Sequence, residues 1–129
     1  MSDLSNYGEN ACAKYIANET PPTLTTLYLS LHTGSPGEAN DGSNELAVAN
    51  GYAREAISFA SVSGASVSTD TDIVFTASGG DWSGATHYGI YDASTAGNLV
   101  ALKAIGSTVT VTDGNTFTVG SGDLSITFA

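Results

Sequence analysis

Positive charge is almost missing from this chain of 129 residues. Lys14, Arg54 and Lys103 stand against 13 acidic residues, for a net charge of −10. Binding a phosphate backbone takes several Lys or Arg side chains on one face, so that condensed counterions are released. Three scattered cations do not supply that face, and an anionic membrane is repelled for the same reason. Neither nucleic acid nor membrane is therefore an expected partner. Cysteine is as scarce: Cys12 stands alone, so no disulfide can form within the chain. The first residues are polar and acidic, with no apolar segment of the secretory kind, and no apolar run approaches the length of a membrane-spanning helix. Synthesis in the cytoplasm, with any exit by assembly or lysis, is the matching expectation.

Chemistry-bearing patterns are thin too. His32 and His87 have no partner at a zinc-ligand spacing. Thr69-Asp70-Thr71-Asp72 and Asp41-Gly42 resemble fragments of calcium loops, but neither has the alternating ligand set with a distal Glu. His87 and Asp92 lie five residues apart, yet no serine is marked by a Gly-x-Ser-x-Gly elbow. Local hydrogen bonding at strand ends accounts for both residues. No catalytic residue, metal or cofactor is expected.

What is present is the composition of a β-protein. Apolar residues make up 41% of the chain, above the range of disordered sequences, and charged residues only 12%, about half the usual share. Ser, Thr, Asn and Gly fill the difference and supply turn conformations. The N-terminal stretch predicts the single helix. Leu4, Tyr7, Ala11, Cys12, Tyr15 and Ile16 recur near helical spacing, Ser2 or Asp3 serves as cap, Gly8 weakens it, and Pro21-Pro22 ends it.

After Pro22 the period changes to two. Leu27, Leu29 and Leu31 alternate with Tyr28, Ser30 and His32, which predicts a half-buried strand. A long polar loop follows, Gly34 to Asn50; this loop or the N-terminal helix is expected to order on contact with partner subunits. Further strands are predicted at Tyr52 to Phe59, Ile73 to Phe75, Trp82 to Asp92, Leu99 to Ile105 and Thr108 to Thr112. Asp113-Gly114-Asn115 reads as a hairpin turn into Phe117 and Val119, and Leu124, Ile126 and Phe128 form the last strand. Turn signals every ten residues or so predict an all-β fold, a single β-sandwich or barrel-like domain over residues 23–129, with a helical arm over residues 1–22. There is no repeat or heptad of the kind a fibrous shaft needs.

Arg54, the only arginine, lies beside Tyr52 and Ile57 and needs a carboxylate partner if buried, with Asp92 and Asp123 as candidates. Trp82, Tyr88 and Tyr91 can be read as a carbohydrate platform or, more simply, as core or interface residues. The structural and interface candidates are thus Arg54, Trp82, His87, Tyr88, Tyr91, Asp92 and Asp123.

The order of motifs carries a resemblance. Leu27-Tyr-Leu-Ser-Leu-His32-Thr33, Ser35-Pro-Gly-Glu38 and Gly51-Tyr52-Ala53-Arg54 are followed by Ile73-Val-Phe75 and Trp82. Then come Thr86-His-Tyr-Gly-Ile-Tyr-Asp-Ala93, Gly97-Asn-Leu99, Gly114 to Phe117 and Gly122-Asp-Leu124. The sequence resembles, over nearly its whole length, a family of small virion structural proteins of tailed bacteriophages. That resemblance implies a non-enzymatic virion component, tail-fibre or tail-tip-associated or else a capsid decoration or cement protein. It implies other phage virion proteins, major capsid or tail proteins, as partners, and a homo-oligomer is expected. A host-surface glycan is the alternative partner. It further implies architectural roles: Gly51 and Gly89 for backbone geometry, Arg54 for an ion pair, Trp82 for packing.

Overall fold

The computed structural model describes residues 2–39 and 42–128. One helix, α1 (Asn6–Ile16), precedes eight strands: β1 (Leu27–His32), β2 (Glu55–Ile57), β3 (Ser66–Ser68), β4 (Ile73–Thr76), β5 (Ala85–Tyr91), β6 (Leu99–Val109), β7 (Thr116–Val119) and β8 (Ser125–Thr127). The fold is all-β, as the alternation of apolar residues predicts. A four-stranded antiparallel sheet has the order β2-β1-β5-β6, and two ribbons pair β3 with β8 and β4 with β7.

Hydrogen bonds outside the strands join the four-stranded sheet and the β3–β8 ribbon into a barrel-like ring. Beyond β2, Phe59 bridges Thr69, and the Ala60 amide donates to the Ser68 carbonyl, which attaches β2 to β3. At the other edge the chain start lies between β6 and β8. The Asp3 amide donates to Thr127 O, the Leu102 amide to Asp3 O and the Ser5 amide to Val100 O. Backbone hydrogen bonds of Asp3 and Ser5 thus tie the predicted arm into the β-framework. A ring satisfies backbone groups that an open sheet edge leaves unpaired. The core inside is continuous across the sheets: Leu29, Leu31, Ile57, Ile73, Phe75, Ile90, Val119 and Ile126 are all buried in one cluster.

Several details depart from the sequence expectation. The helix cap is Ser5, not Ser2 or Asp3. Its Oγ accepts from the Gly8 amide at 3.1 Å, and it also donates to the Leu99 carbonyl, which anchors the helix to β6. Gly8 is the buried residue of α1 because the helix crosses β6 there, and a Cβ would overlap the Val100 carbonyl oxygen. The helix ends before the prolines. Asn18 takes a left-handed conformation (φ 61°), which closes the last turn. The segment at 99–105 and the first two residues of 108–112 belong to one strand, β6, interrupted by a register shift against β5 near Gly106 (φ 95°), while 110–112 lie outside any strand. The turn at 113–115 forms, but β7 returns to β4 rather than to the strand before it. Phe117 lies opposite Phe75, with the rings stacked at 6.3 Å, so the apolar face of β7 is matched there. The serine-rich β3 has no apolar alternation to mark it in the sequence, since only Val67 carries an apolar side chain in it.

Candidate functional site

β1 is the strand around which the polar residues gather. Leu29 and Leu31 enter the core, and the opposite face, expected to meet solvent, is covered as well: Ser30 and His32 are both 0% exposed. The cover is the loop between β1 and β2, folded back over the sheet. The Thr33 amide donates to Asn44 O, the Leu46 amide to Leu31 O, and His32 bridges Glu45. The loop is therefore tied at its base by the strand it leaves.

Arg54 locks this arrangement. Its Nε and Nη2 reach the two Glu45 carboxylate oxygens at 2.9 and 2.8 Å, and Nη1 donates to Ala93 O and Ala96 O at 2.9 and 2.7 Å. The guanidinium lies 3.6 Å from the centroid of the Tyr91 ring, a cation–π contact. The carboxylate partner is therefore Glu45, and neither Asp92 nor Asp123 fills that role. Asp92 instead accepts from the Asn98 amide and side chain, holding the turn after β5. Asp123 closes the turn before β8, with its amide on Gly120 O. Sequence proximity concealed Glu45, because it sits inside the polar loop and only the fold-back carries it to Arg54.

Tyr52 is the second organiser. Its hydroxyl donates to Glu45 Oε2 at 2.8 Å and accepts from the Leu31 amide at 3.1 Å. The ring packs edge-on to Trp82 (5.5 Å) and stacks with Phe75 (6.4 Å). Trp82 is 6% exposed and donates its Nε1–H to Asn50 O at 2.8 Å. Tyr91 is 2% exposed, so of the three proposed platform aromatics only Tyr88 keeps a half-exposed ring. Trp82 and Tyr91 are packing residues. His87 hydrogen-bonds Thr86 at 2.9 Å, a local contact on β5. Of the seven sequence candidates, the fold brings together Arg54 and Tyr91, with Asp92 starting the adjoining turn; Trp82 joins them only through Tyr52.

A serine–histidine pair is also present that the sequence did not single out. Ser30 Oγ lies 2.8 Å from His32 Nε2, and His32 Nδ1 lies 2.8 Å from Ser43 O. Ser30 Oγ also reaches Gly89 O at 3.0 Å. Both side chains are fully buried, so no substrate reaches the hydroxyl, and the imidazole is oriented by a carbonyl rather than a carboxylate. The pair is a structural hydrogen-bond network. Gly89, expected for its backbone freedom, is needed for space: a Cβ there would stand 2.6 Å from Ser30 Oγ and 2.7 Å from His32 Nε2. Gly51 does need its conformation, at φ 81°.

The electrostatics follow the burial. Burial depresses the His32 imidazole below its ordinary value, helped by Arg54 and His87 and opposed by Ser43 O and Glu45. Burial alone would raise the Glu45 carboxyl, but hydrogen bonds from Arg54 and Tyr52 outweigh it and hold the group below the usual range. Burial likewise raises Tyr52 and Tyr88, the latter with a contribution from Asp123. Among the described residues, no group of three or more His, Cys, Asp or Glu is placed to hold a metal. Asp70 is hydrogen-bonded to Ser58, Asp72 accepts from the Ser121 amide, and Asp41 lies outside the described residues. The clefts beside Arg54 and Trp82 measure 140 and 110 Å³, smaller than the roughly 300 Å³ at which ligand pockets begin.

Residues 3–127 match the family described as Podophage GP4 fiber I protein gp80. The chain belongs to that family. Among curated proteins no match was found. The match spans the N-terminal segment, the loop and every strand, so the Glu45–Arg54 clamp and the closing residues 3–5 lie within the family's extent. This is a tailed-phage virion protein of the fibre type, and its best-built polar cluster is a clamp on its own loop.

Proposed function

We propose that this fibre-type protein is a non-enzymatic structural module of the virion surface, joined to other virion proteins and tail-associated rather than a capsid cement. The observation that carries the reading is the internal use of its chemistry-bearing side chains. Arg54 is bonded to Glu45, Ala93 and Ala96, Asp92 to Asn98, Trp82 to Asn50, and the Ser30–His32 pair is sealed. Such residues give a rigid body rather than a site. The fibre description of the family supports the tail over capsid decoration. The net charge of −10 supports protein partners over nucleic acid or membrane. A glycan-binding role receives no aromatic platform from Trp82 or Tyr91, both of which are buried.

Copy number per virion tests this reading. Quantitative mass spectrometry of purified particles, referenced to the major capsid protein, should find a small number of copies. Near-stoichiometric abundance would move the protein to the capsid surface. Absence from particles would overturn the virion assignment.

A further inference from the structure

We propose that the N-terminal arm, residues 2–16, is exchanged between copies of this chain, the arm of one protomer filling the slot between β6 and β8 of another. The occupant is defined by what already fits the slot. Asp3 and Ser5 complete the ring through the bonds to Thr127, Leu102 and Val100, with Leu4 paired to Ala101 between them. Leu4 is 6% exposed in the core, and the Asp3 carboxylate accepts from the Thr127 amide at 2.9 Å and faces Lys103 at 3.4 Å. None of these contacts depends on which copy supplies the arm. In a domain exchange the closed interface is the same in both forms, so the connecting link and any newly covered surface decide between them.

The link here, residues 17–26, favours exchange. Every residue in it is exposed except the half-buried Pro21 and Pro22. The amides of Ala17, Asn18 and Glu19 turn back to the helix, and among the described residues no backbone hydrogen bond ties residues 20–25 to the body. Two consecutive prolines stiffen the segment into an extended form. An extended link also carries the arm away from the body that it leaves. Ten residues also span up to roughly 33 Å, enough to reach a neighbour. The new surface is present as well. Tyr15 and Ile16, at the hinge end of α1, are 78% and 84% exposed, whereas Leu24 in the link borders an apolar cleft beside Leu4 and Leu27. In an exchanged pair the two links run side by side, and Tyr15 and Ile16 of the two copies cover one another.

Leu4 and Ala101 provide the test. They form a non-hydrogen-bonded antiparallel pair, flanked by the Ser5–Val100 and Leu102–Asp3 bonds, the geometry in which Cα atoms come closest and a disulfide fits. In a Cys12→Ala background, one chain carries Leu4→Cys and a differently tagged chain carries Ala101→Cys. Co-expression followed by mild oxidation should give a covalent heterodimer on a non-reducing gel. If a chain carrying both cysteines closes its own disulfide while the mixture stays monomeric, the proposal fails. The unaltered protein gives an independent reading. In a mixture of isotope-labelled and unlabelled chains, filtered NOEs should connect Leu4 of one copy with Ala101 of another. A monomer at the highest soluble concentration, or contacts confined to single chains, overturns the exchange. Both readouts are made in solution and do not depend on where in the virion the protein sits.

Discussion

Replacing Glu45 with Gln removes the charge that Arg54 was buried against while leaving the shape nearly unchanged. The Arg54 and Glu45 side chains are 7% and 18% exposed, so little solvent is available to take over. Breaking a buried pair from one side costs about 3–5 kcal/mol, because the remaining charge is left uncompensated. Nη1 keeps its two carbonyl partners and the guanidinium keeps the Tyr91 ring, which places the cost at the lower end, about 3 kcal/mol. For a domain of this size that corresponds to a fall in Tm of about 12 °C. Urea denaturation at neutral pH of Glu45→Gln, Arg54→Met and the double variant measures it. The double variant should lose much less than the sum of the singles, since neither charge is then orphaned. A loss below about 1 kcal/mol for Glu45→Gln would mean that the pair behaves as a solvated surface pair, and the clamp argument would be wrong.

Three further outcomes follow from the same cluster. Gly89→Ala places a methyl against Ser30 and His32 and should destabilise by about 2 kcal/mol, read by chemical denaturation; a neutral result would show that the second face of β1 is loosely packed. Tyr52→Phe strips the Leu31 amide of its acceptor and Glu45 of a donor, at a cost of about 1–3 kcal/mol, with the far-ultraviolet spectrum unchanged. Stability should fall with acid in two stages. His32 has a folded pKa below its ordinary 6.5, so between those values the unfolded chain binds the extra proton and stability declines as pH drops below about 6.5. Glu45 is held below its ordinary 4.5, so its contribution is complete above that value and is lost as pH falls through the depressed one. Thermal unfolding from pH 8 to 3 checks both stages, and His32→Gln should flatten only the first.

The β-framework was legible because its signal is local. Leu27, Leu29 and Leu31 alternate, Ile73 and Phe75 alternate, and the Gly- and Asn-rich turns fall between them, so strand positions could be read from neighbours in sequence. Helix existence was equally local, but its boundaries were not: the capping by Ser5 depends on β6 carbonyls that lie some ninety residues away in sequence. Pairing was less legible for the same reason. A turn at Asp113-Gly114 looks like a hairpin in isolation, and only the match of Phe117 to Phe75 sends β7 elsewhere. The need of Arg54 for a carboxylate was readable from its apolar neighbours; the identity of that carboxylate was not, since every acidic residue is equivalent until the loop folds back.

By itself, then, the sequence determined the class of fold, a surface with only three cations against 13 acids, and the virion-protein resemblance that the match over residues 3–127 agrees with. Composition and period act through average burial and average charge, and both are set residue by residue. The tertiary structure alone decided that residues 3–5 close a ring, that Glu45 rather than an aspartate holds Arg54, and that Trp82 and Tyr91 face inward. Each of these is a contact between segments distant in sequence. Such contacts form only when the chain has closed its long loops, and their specificity comes from shape and hydrogen-bond geometry that no local pattern encodes.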